Sequence, residues 1–171
     1  MKLNDLPELA VQTLRPLTIH LFAATAQGLT AQAAFDAALQ GTGVAEAERL
    51  RTSSLILPNA RIVCAKPRAA PRAHARVQYV VMSQMQQSRP GEHAHAGVAW
   101  VQRCDDGHGL FIDLHDDDRD RLEHDLHAAF GAIASLRNPA YSPVQATFAS
   151  RRCNGPPVCA LVIAACACEP W

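Results

Sequence analysis

The sequence lacks a net charge, and it lacks any long apolar run. Its 16 lysines and arginines are balanced by 16 aspartates and glutamates over 171 residues. A chain without excess positive charge has no electrostatic attraction to a phosphate backbone, so we expect no nucleic-acid partner. No segment reaches the roughly 18 consecutive apolar residues that a membrane-spanning helix needs, so we expect no membrane partner. The balance of charge leaves little repulsion between copies, which favours self-association.

The first residues lack the features of a secretory signal. The stretch MKLNDLPELAVQ carries Asp5, Pro7 and Glu8 and has no continuous apolar core. We therefore expect a cytoplasmic protein, in which the six cysteines are reduced thiols rather than a disulfide framework. With 49% apolar and 19% charged residues, the chain has the composition of a single globular domain, residues 1–171.

Apolar periodicity predicts a mixed α+β fold. Two helices are predicted, at 31–40 behind Thr30 as N-cap and at 117–137 behind an acidic first turn. The apolar face of the second helix is predicted to carry Leu122, Leu126, Phe130, Ile133 and Leu136. Strands are predicted at 17–24, through the serines of RLRTSSLIL, and at 61–65, 77–85, 93–102, 109–115, 144–150 and 157–168. Residues 66–76 form an irregular connection, and the order of elements indicates an α+β sandwich.

Metal-binding patterns are absent from the histidines, cysteines and acids. His93 and His95 share one strand face, as do Cys166 and Cys168, but neither pair has the spacing of a zinc site. The acidic run 113–125 lacks the glycine and the terminal glutamate of a calcium loop. We therefore expect no metal, and a cysteine in an Ala-rich apolar strand is predicted to be a small core residue.

Two acids and two adjacent serines are the candidate site residues. Asp36 lies beside the apolar face of the first helix, and taken alone it is typical of a solvated acid. Asp113 follows Phe111 in a strand pattern, where it either faces solvent or is buried with its pKa raised; the pattern alone favours solvent. Ser54 can attack the carbonyl of Ser53 to form an ester, and β-elimination then leaves dehydroalanine. Hydrolysis would give a pyruvoyl ketone, which can form a Schiff base with an amine and act as an electron sink.

The chain resembles the pyruvoyl-dependent arginine decarboxylases. The similar stretches are LTIHLFAATAQGLTAQAAFDAALQGTG, RLRTSSLILPNARIV, GLFID and the carboxyl-terminal VCALVIAACAC with Trp171. Members of that family carry an AFDGAL-type helix, an R-x-S-S-I-x-P-x-A-x-I-V segment and a GLIME-type strand. The resemblance begins near residue 17 and covers nearly the whole chain, and its most specific part is 33–63.

The resemblance implies that the chain cuts itself between Ser53 and Ser54. Residues 1–53 would become a β chain, and residues 54–171 an α chain headed by a pyruvoyl group made from Ser54. It further implies that Asp36 pairs with the substrate guanidinium and that Asp113 stands where the family has the glutamate that reprotonates the product. The implied fold is an αββα sandwich, assembled as a trimer or a pair of trimers with active sites between subunits. The implied reaction is decarboxylation of arginine or a related basic amino acid, in polyamine-type or acid-resistance metabolism.

Two residues depart from the family pattern. Asp113 is one methylene shorter than the family's glutamate, and a displacement of about 1 Å can cost on the order of a hundredfold in rate. Glu48 replaces the asparagine that assists processing, and a carboxylate cannot donate the amide hydrogen bond that would hold the Ser53 carbonyl. An alternative therefore stays open, an unprocessed decarboxylase-like homologue that serves as a scaffold, a binding module or a partner subunit. A third alternative is a small metal or redox protein that uses the cysteines.

Overall fold

The computed structural model describes residues 17–45, 48–51, 54–65, 77–136 and 140–167. Within these ranges the chain forms nine strands and two helices. In chain order they are β1 (Thr18–Gln27), α1 (Ala31–Thr42), β2 (Glu48–Arg51), β3 (Leu55–Ile56), β4 (Arg61–Cys64), β5 (Val77–Gln87), β6 (His93–Gln102), β7 (Gly109–Asp116), α2 (Arg119–Leu136), β8 (Gln145–Arg152) and β9 (Val158–Ala167). The predicted mixed α+β class is confirmed. Neither helix in these ranges is long and apolar enough to cross a membrane.

The strands form two sheets. Sheet A has the strand order β2-β5-β9-β1-β4, and sheet B has the order β3-β7-β6-β8. The pairs β1·β4 and β2·β5 are parallel, and all other pairs are antiparallel. The edge strands β2 and β3 belong to different sheets, although only residues 52–54 separate them in the chain.

Three apolar clusters hold the layers together. One lies between the sheets and includes Val81 and Val162 of sheet A with Phe111 of sheet B. A second joins α1 to the other face of sheet A, and a third joins α2 to the other face of sheet B. Because side chains alternate along a strand, each central strand contributes to the middle cluster and to one outer cluster.

Helix α1 has the predicted N-cap and ends two residues later than predicted. The side-chain oxygen of Thr30 accepts a hydrogen bond from the amide of Ala33, and Gly43 closes the helix in the left-handed conformation at φ 77°. Its apolar face is predicted from the spacing of Ala31, Ala34, Phe35, Ala38 and Leu39, and of these Ala34, Ala38 and Leu39 are buried.

Helix α2 begins two residues later than predicted and buries less of its carboxyl-terminal end. Asp118 precedes the helix, and its carboxylate accepts hydrogen bonds from the amides of Asp120 and Arg121. Leu122, Leu126 and Phe130 are buried as predicted. Leu136 is 86% exposed, so its assignment to the core face is wrong.

The single strand predicted through the two serines is also wrong. Its first part is β2 at the edge of sheet A, and its second part is β3 at the edge of sheet B. The apolar run beyond the serines is not fully buried either, because Leu55 is 58% exposed and Leu57 is exposed to a similar degree. The other predicted strands are present with ends shifted by up to three residues, and the connection 66–76 lies outside the described residues.

Candidate active site

Ser54 lies where the chain passes from one sheet to the other. It directly precedes β3, and its side chain is exposed. Thr52 and Ser53 lie outside the described residues, and the predicted scissile bond lies there with them. Of the two residues in that bond, the structure describes Ser54, which lies near the edge strands β2 and β3.

The backbone of Ser54 is fixed by strand β7. The amide of Phe111 donates a hydrogen bond of 2.7 Å to the carbonyl oxygen of Ser54. This bond continues the antiparallel register in which Leu55 pairs with Leu110 and Ile56 with Gly109. The segment RLRTSSLIL and the segment GLFID, distant in sequence, are thus brought side by side.

Glycine is required at the start of the GLFID segment. A Cβ atom on Gly109 would collide with the backbone carbonyl of Val101 on β6 and press against Ile56 on β3. The missing side chain lets β7 lie close to both neighbours, which in turn sets the position of Phe111 beside Ser54.

Asp113 lies on the inner face of β7. It is two residues beyond Phe111, which packs between the sheets, so both side chains lie on the same side of the strand. Asp113 is partly buried, and the fully solvated placement favoured by the pattern alone is wrong. Burial raises the pKa of its carboxyl group, and the positive charge of Arg51 opposes that rise.

Arg51 is a residue of this site that sequence reasoning did not single out. It ends β2, three residues before Ser54, and its positive charge is the largest effect that lowers the pKa of Asp113. The signal was present in the sequence, since Arg51 occupies the arginine of the R-x-S-S pattern. A charged residue in a strand of alternating polar and apolar residues is nonetheless typical of a solvent-exposed face, so this alternation alone did not indicate a functional role for Arg51.

Asp36 is not brought to the same place within one chain. It is exposed on α1, where it accepts a hydrogen bond of 3.1 Å from the side-chain amide of Gln32 one turn earlier. Helix α1 packs on the outer face of sheet A, whereas Asp113 lies on the inner face of sheet B. Sheet A therefore lies between the layer of Asp36 and the layer of Asp113.

Glu48 is the first residue of β2 and pairs with Val77 of β5. Its side chain lies outside the described set, so its predicted effect on the Ser53 carbonyl stays a prediction.

The histidines and cysteines have structural surroundings. His95 is buried, its ring stacks on His93 with centroids 5.5 Å apart, and its Nδ1 lies 2.7 Å from the hydroxyl of Ser150.

Cys159 is a buried core residue of β9, as predicted, and burial raises the pKa of its thiol to about 11. No disulfide joins the five described cysteines, and Cys168 lies outside the described part. In the part of the chain that the structure describes, no three His, Cys, Asp or Glu side chains are grouped to hold a metal.

A known protein family matches most of the chain. The model of the pyruvoyl-dependent arginine decarboxylases matches residues 18–168. The chain belongs to this family. The suspected resemblance is thereby confirmed, and the family is one of pyruvoyl-dependent carboxy-lyases. A search of curated proteins finds no match. The span shared with the family contains Asp36, both serines and Asp113, and outside it lie only the first 17 and the last three residues.

Proposed function

We propose that this chain is a pyruvoyl-dependent decarboxylase of arginine or a related basic amino acid, and that it makes its own pyruvoyl group from Ser54. The observation that carries the proposal is the hydrogen bond from Phe111 to Ser54. It ties the residue to be modified to the strand that carries Asp113, an acid with a raised pKa. Family membership supports the reaction class, and the geometry supports the roles of the two residues.

The processing step uses the chain's own atoms and one water. The Ser54 hydroxyl oxygen attacks the Ser53 carbonyl carbon, the peptide nitrogen takes up a proton, and an ester replaces the amide. Loss of the Ser54 α-proton breaks the bond between Cβ and the ester oxygen, which releases Ser53 as a carboxylate and leaves dehydroalanine at position 54. Uptake of one water and release of one ammonia then leave a ketone. The products are residues 1–53 and residues 54–171.

The surroundings of residue 54 fit a pyruvoyl group. Cleavage breaks the bond on the amino side of Ser54, so the carbonyl that accepts the Phe111 hydrogen bond is retained. Phe111 would therefore hold the modified residue as it holds the serine. The exposure of the Ser54 side chain leaves the reactive position accessible to a substrate amine. The ketone supplies an electron sink for loss of carbon dioxide.

Asp113 is proposed to return a proton to the α-carbon of the substrate. A general acid works best when its pKa lies near the working pH, and burial moves the pKa of Asp113 in that direction. The charge of Arg51 limits the rise, so the carboxyl group can both give up and regain its proton.

Substrate binding is proposed to involve Asp36 of another copy of the chain. A carboxylate that accepts a bidentate contact from a guanidinium selects for arginine-like substrates. Because sheet A separates the layers of Asp36 and Asp113 within one chain, a site that uses both residues needs a second subunit. An αββα sandwich assembled as a trimer or a pair of trimers would provide it.

The surface around Ser54 supports contact with a second copy. Large apolar side chains are exposed on the edge strand β2, on β3 and the residue that follows it, and on β5 beside β2. They are Leu50, Leu55, Leu57 and Tyr79. Burial of such side chains between subunits removes apolar area from water, and the zero net charge of the chain leaves association unopposed.

The test is product formation from candidate substrates. Purified protein is incubated with arginine, and the release of carbon dioxide and the decarboxylated amine is measured beside lysine. We expect product from the parent chain and from Ser88→Ala, a matched serine control on an exposed loop, and none from Ser54→Ala. Asp36→Asn is expected to raise the KM for arginine about 10- to 100-fold, because a charge-assisted contact is lost. Equal product from Ser54→Ala would overturn the proposal.

A further inference from the structure

One polar side chain lies buried between the two sheets in the described part of the chain. Three polar or charged residues are buried there, and they are Thr42, Ser83 and His95. Thr42 belongs to α1, and His95 faces the layer of α2. Ser83 of β5 is 2% exposed, and its face of the strand also carries Val81 and Met85, which pack in the cluster between the sheets.

The hydroxyl of Ser83 connects sheet A to two strands of sheet B. It donates a hydrogen bond to the carbonyl oxygen of Leu114 on β7, and it accepts one of 3.2 Å from the amide of Gly97 on β6. Gly97 and Leu114 are directly opposite each other in the β6·β7 register. A single hydroxyl thus fixes one rung of sheet B against β5.

Packing alone would favour an apolar residue at the position of Ser83. Burial of a hydroxyl among apolar side chains has a desolvation cost that its hydrogen bonds only offset, whereas alanine or valine would avoid that cost. Residues that work against the simplest packing are expected where position matters for function. The carbonyl that Ser83 holds belongs to Leu114, the residue that follows Asp113.

The position of the Asp113 carboxyl group depends more strongly on the β7 backbone than that of a glutamate at the same place would. Asp113 has one methylene fewer than a glutamate, so its carboxyl group has fewer torsions with which to correct a misplaced strand. Asp113 pairs with Val98, on the rung next to the one that Ser83 fixes. A shift of β7 would be transmitted directly to the Asp113 carboxyl group.

We propose that Ser83 is a positioning residue for Asp113, one that fixes β7 against sheet A so that the short carboxyl group reaches the reacting carbon beside residue 54. This inference rests on the proposed function, in which Asp113 is the proton donor. Ser83 contacts the backbone of β7 and acts only through it.

The first test measures the position of Asp113 without any catalysis. The Ser54→Ala chain, which cannot cleave itself, is labelled for NMR, and the carboxyl titration of Asp113 and the hydrogen exchange of the Gly97 amide are followed. With Ser83→Ala we expect the Asp113 pKa to move toward its ordinary value, because the strand becomes less tightly packed, and Gly97 exchange to accelerate about tenfold or more. The matched control is Thr42→Val, which removes another buried hydroxyl that donates to a carbonyl, that of Leu39 at 2.6 Å. An unchanged Asp113 titration in Ser83→Ala would overturn the inference.

The second test measures rescue by a longer acid. In the processed enzyme, Ser83→Ala is expected to lower kcat about tenfold or more while KM changes less than about twofold. In the Asp113→Glu background the same change is expected to lower kcat less than about threefold, because the longer side chain can adjust. An equal loss in both backgrounds indicates a general packing defect and contradicts the inference. If neither the parent nor any of these variants cleaves itself, the proposed function is contradicted instead. The Asp113 titration in the Ser54→Ala chain would then still test the role of Ser83.

Discussion

The amide of Phe111 lies 2.7 Å from the carbonyl oxygen of Ser54 and donates a hydrogen bond to it. This contact joins two segments that are more than 50 residues apart in the chain. It also sets the distance along β7 between residue 54 and Asp113, which lies two residues beyond Phe111 on the same face. In the proposed reaction, one strand therefore positions both the modified residue and the proton donor.

Glu48 is expected to slow self-cleavage. A carboxylate cannot donate a hydrogen bond to the Ser53 carbonyl, whereas an amide can, and one such donor is commonly worth a factor of about 100 or more. We expect Glu48→Asn to cleave about tenfold faster or more, followed as the fraction of cut chain over time in denaturing electrophoresis. Glu92→Gln, an acid-to-amide change outside the segment around the serines, serves as the control. Equal rates for parent and Glu48→Asn would contradict this account, and cleavage in the variant alone would favour the unprocessed homologue.

Arg51 is expected to keep the pKa of Asp113 from rising further. Arg51→Gln removes the largest effect that opposes burial, so the Asp113 pKa should rise, whereas Arg51→Lys should retain most of the effect. The carboxyl titration of Asp113 by NMR measures this directly. Since Arg51 is exposed, 1 M salt should screen its charge and raise the pKa in the parent chain. If the Asp113 pKa is the same in the parent and in Arg51→Gln, and does not change with salt, Arg51 has no electrostatic effect on Asp113.

Asp113→Asn is expected to stabilise the fold while it abolishes reprotonation. Because the pKa is raised on folding, the folded chain holds a proton that the unfolded chain has released, at pH values above the ordinary aspartate pKa of about 4. The free energy of unfolding therefore falls as pH rises through the raised pKa of Asp113. Asparagine does not ionise, so the Asp113→Asn chain does not lose stability in this way. We expect a higher Tm for Asp113→Asn at pH 8 than for the parent, by at most about 2–4 °C because water screens the half-exposed group. The difference should shrink at pH 5, and a lower Tm for the variant at pH 8 would contradict the assigned environment.

His95 is expected to weaken the fold on acidification. Burial lowers the pKa of His95, and the neighbouring His93 and Arg119 lower it further. Below the ordinary histidine pKa of about 6.5, the unfolded chain takes up a proton that the folded chain resists, so stability falls as pH drops from about 6.5. Between pH 8 and pH 5.5 the parent should lose about 2–4 °C more in Tm than His95→Gln. The exposed His124→Gln should behave like the parent, and equal losses in all three chains would contradict the prediction.

Local features of the fold were predictable because their causes are local. The Thr30 cap, the Gly43 terminus and the buried face of α1 all follow from residues within a few positions of each other. The strand through the serines was not predictable, because its two halves are assigned to different sheets by distant partners. β2 pairs with β5, whereas β3 pairs with β7. An alternating pattern predicts that residues form a strand, but it does not predict which sheet the strand joins.

The residues of the candidate site were predicted from sequence motifs, and their geometry could not be predicted. Ser54 and Asp113 were chosen from motifs, and the structure brings their strands together. The face on which Asp113 lies depends on sheet A, which packs over β7 and is built from other parts of the chain. Ser83 carried no sequence signal at all, because a serine in an alternating strand is unremarkable until its two hydrogen-bond partners are known.

The central claim is that the bond between Ser53 and Ser54 breaks by chemistry at Ser54, and the intact mass of the aged, purified protein under denaturing conditions tests it most directly. We expect two chains, residues 1–53 and residues 54–171. The second should be lighter by one ammonia than a fragment made by simple hydrolysis. A single uncut chain, or a second fragment that begins with an unmodified serine, would contradict it.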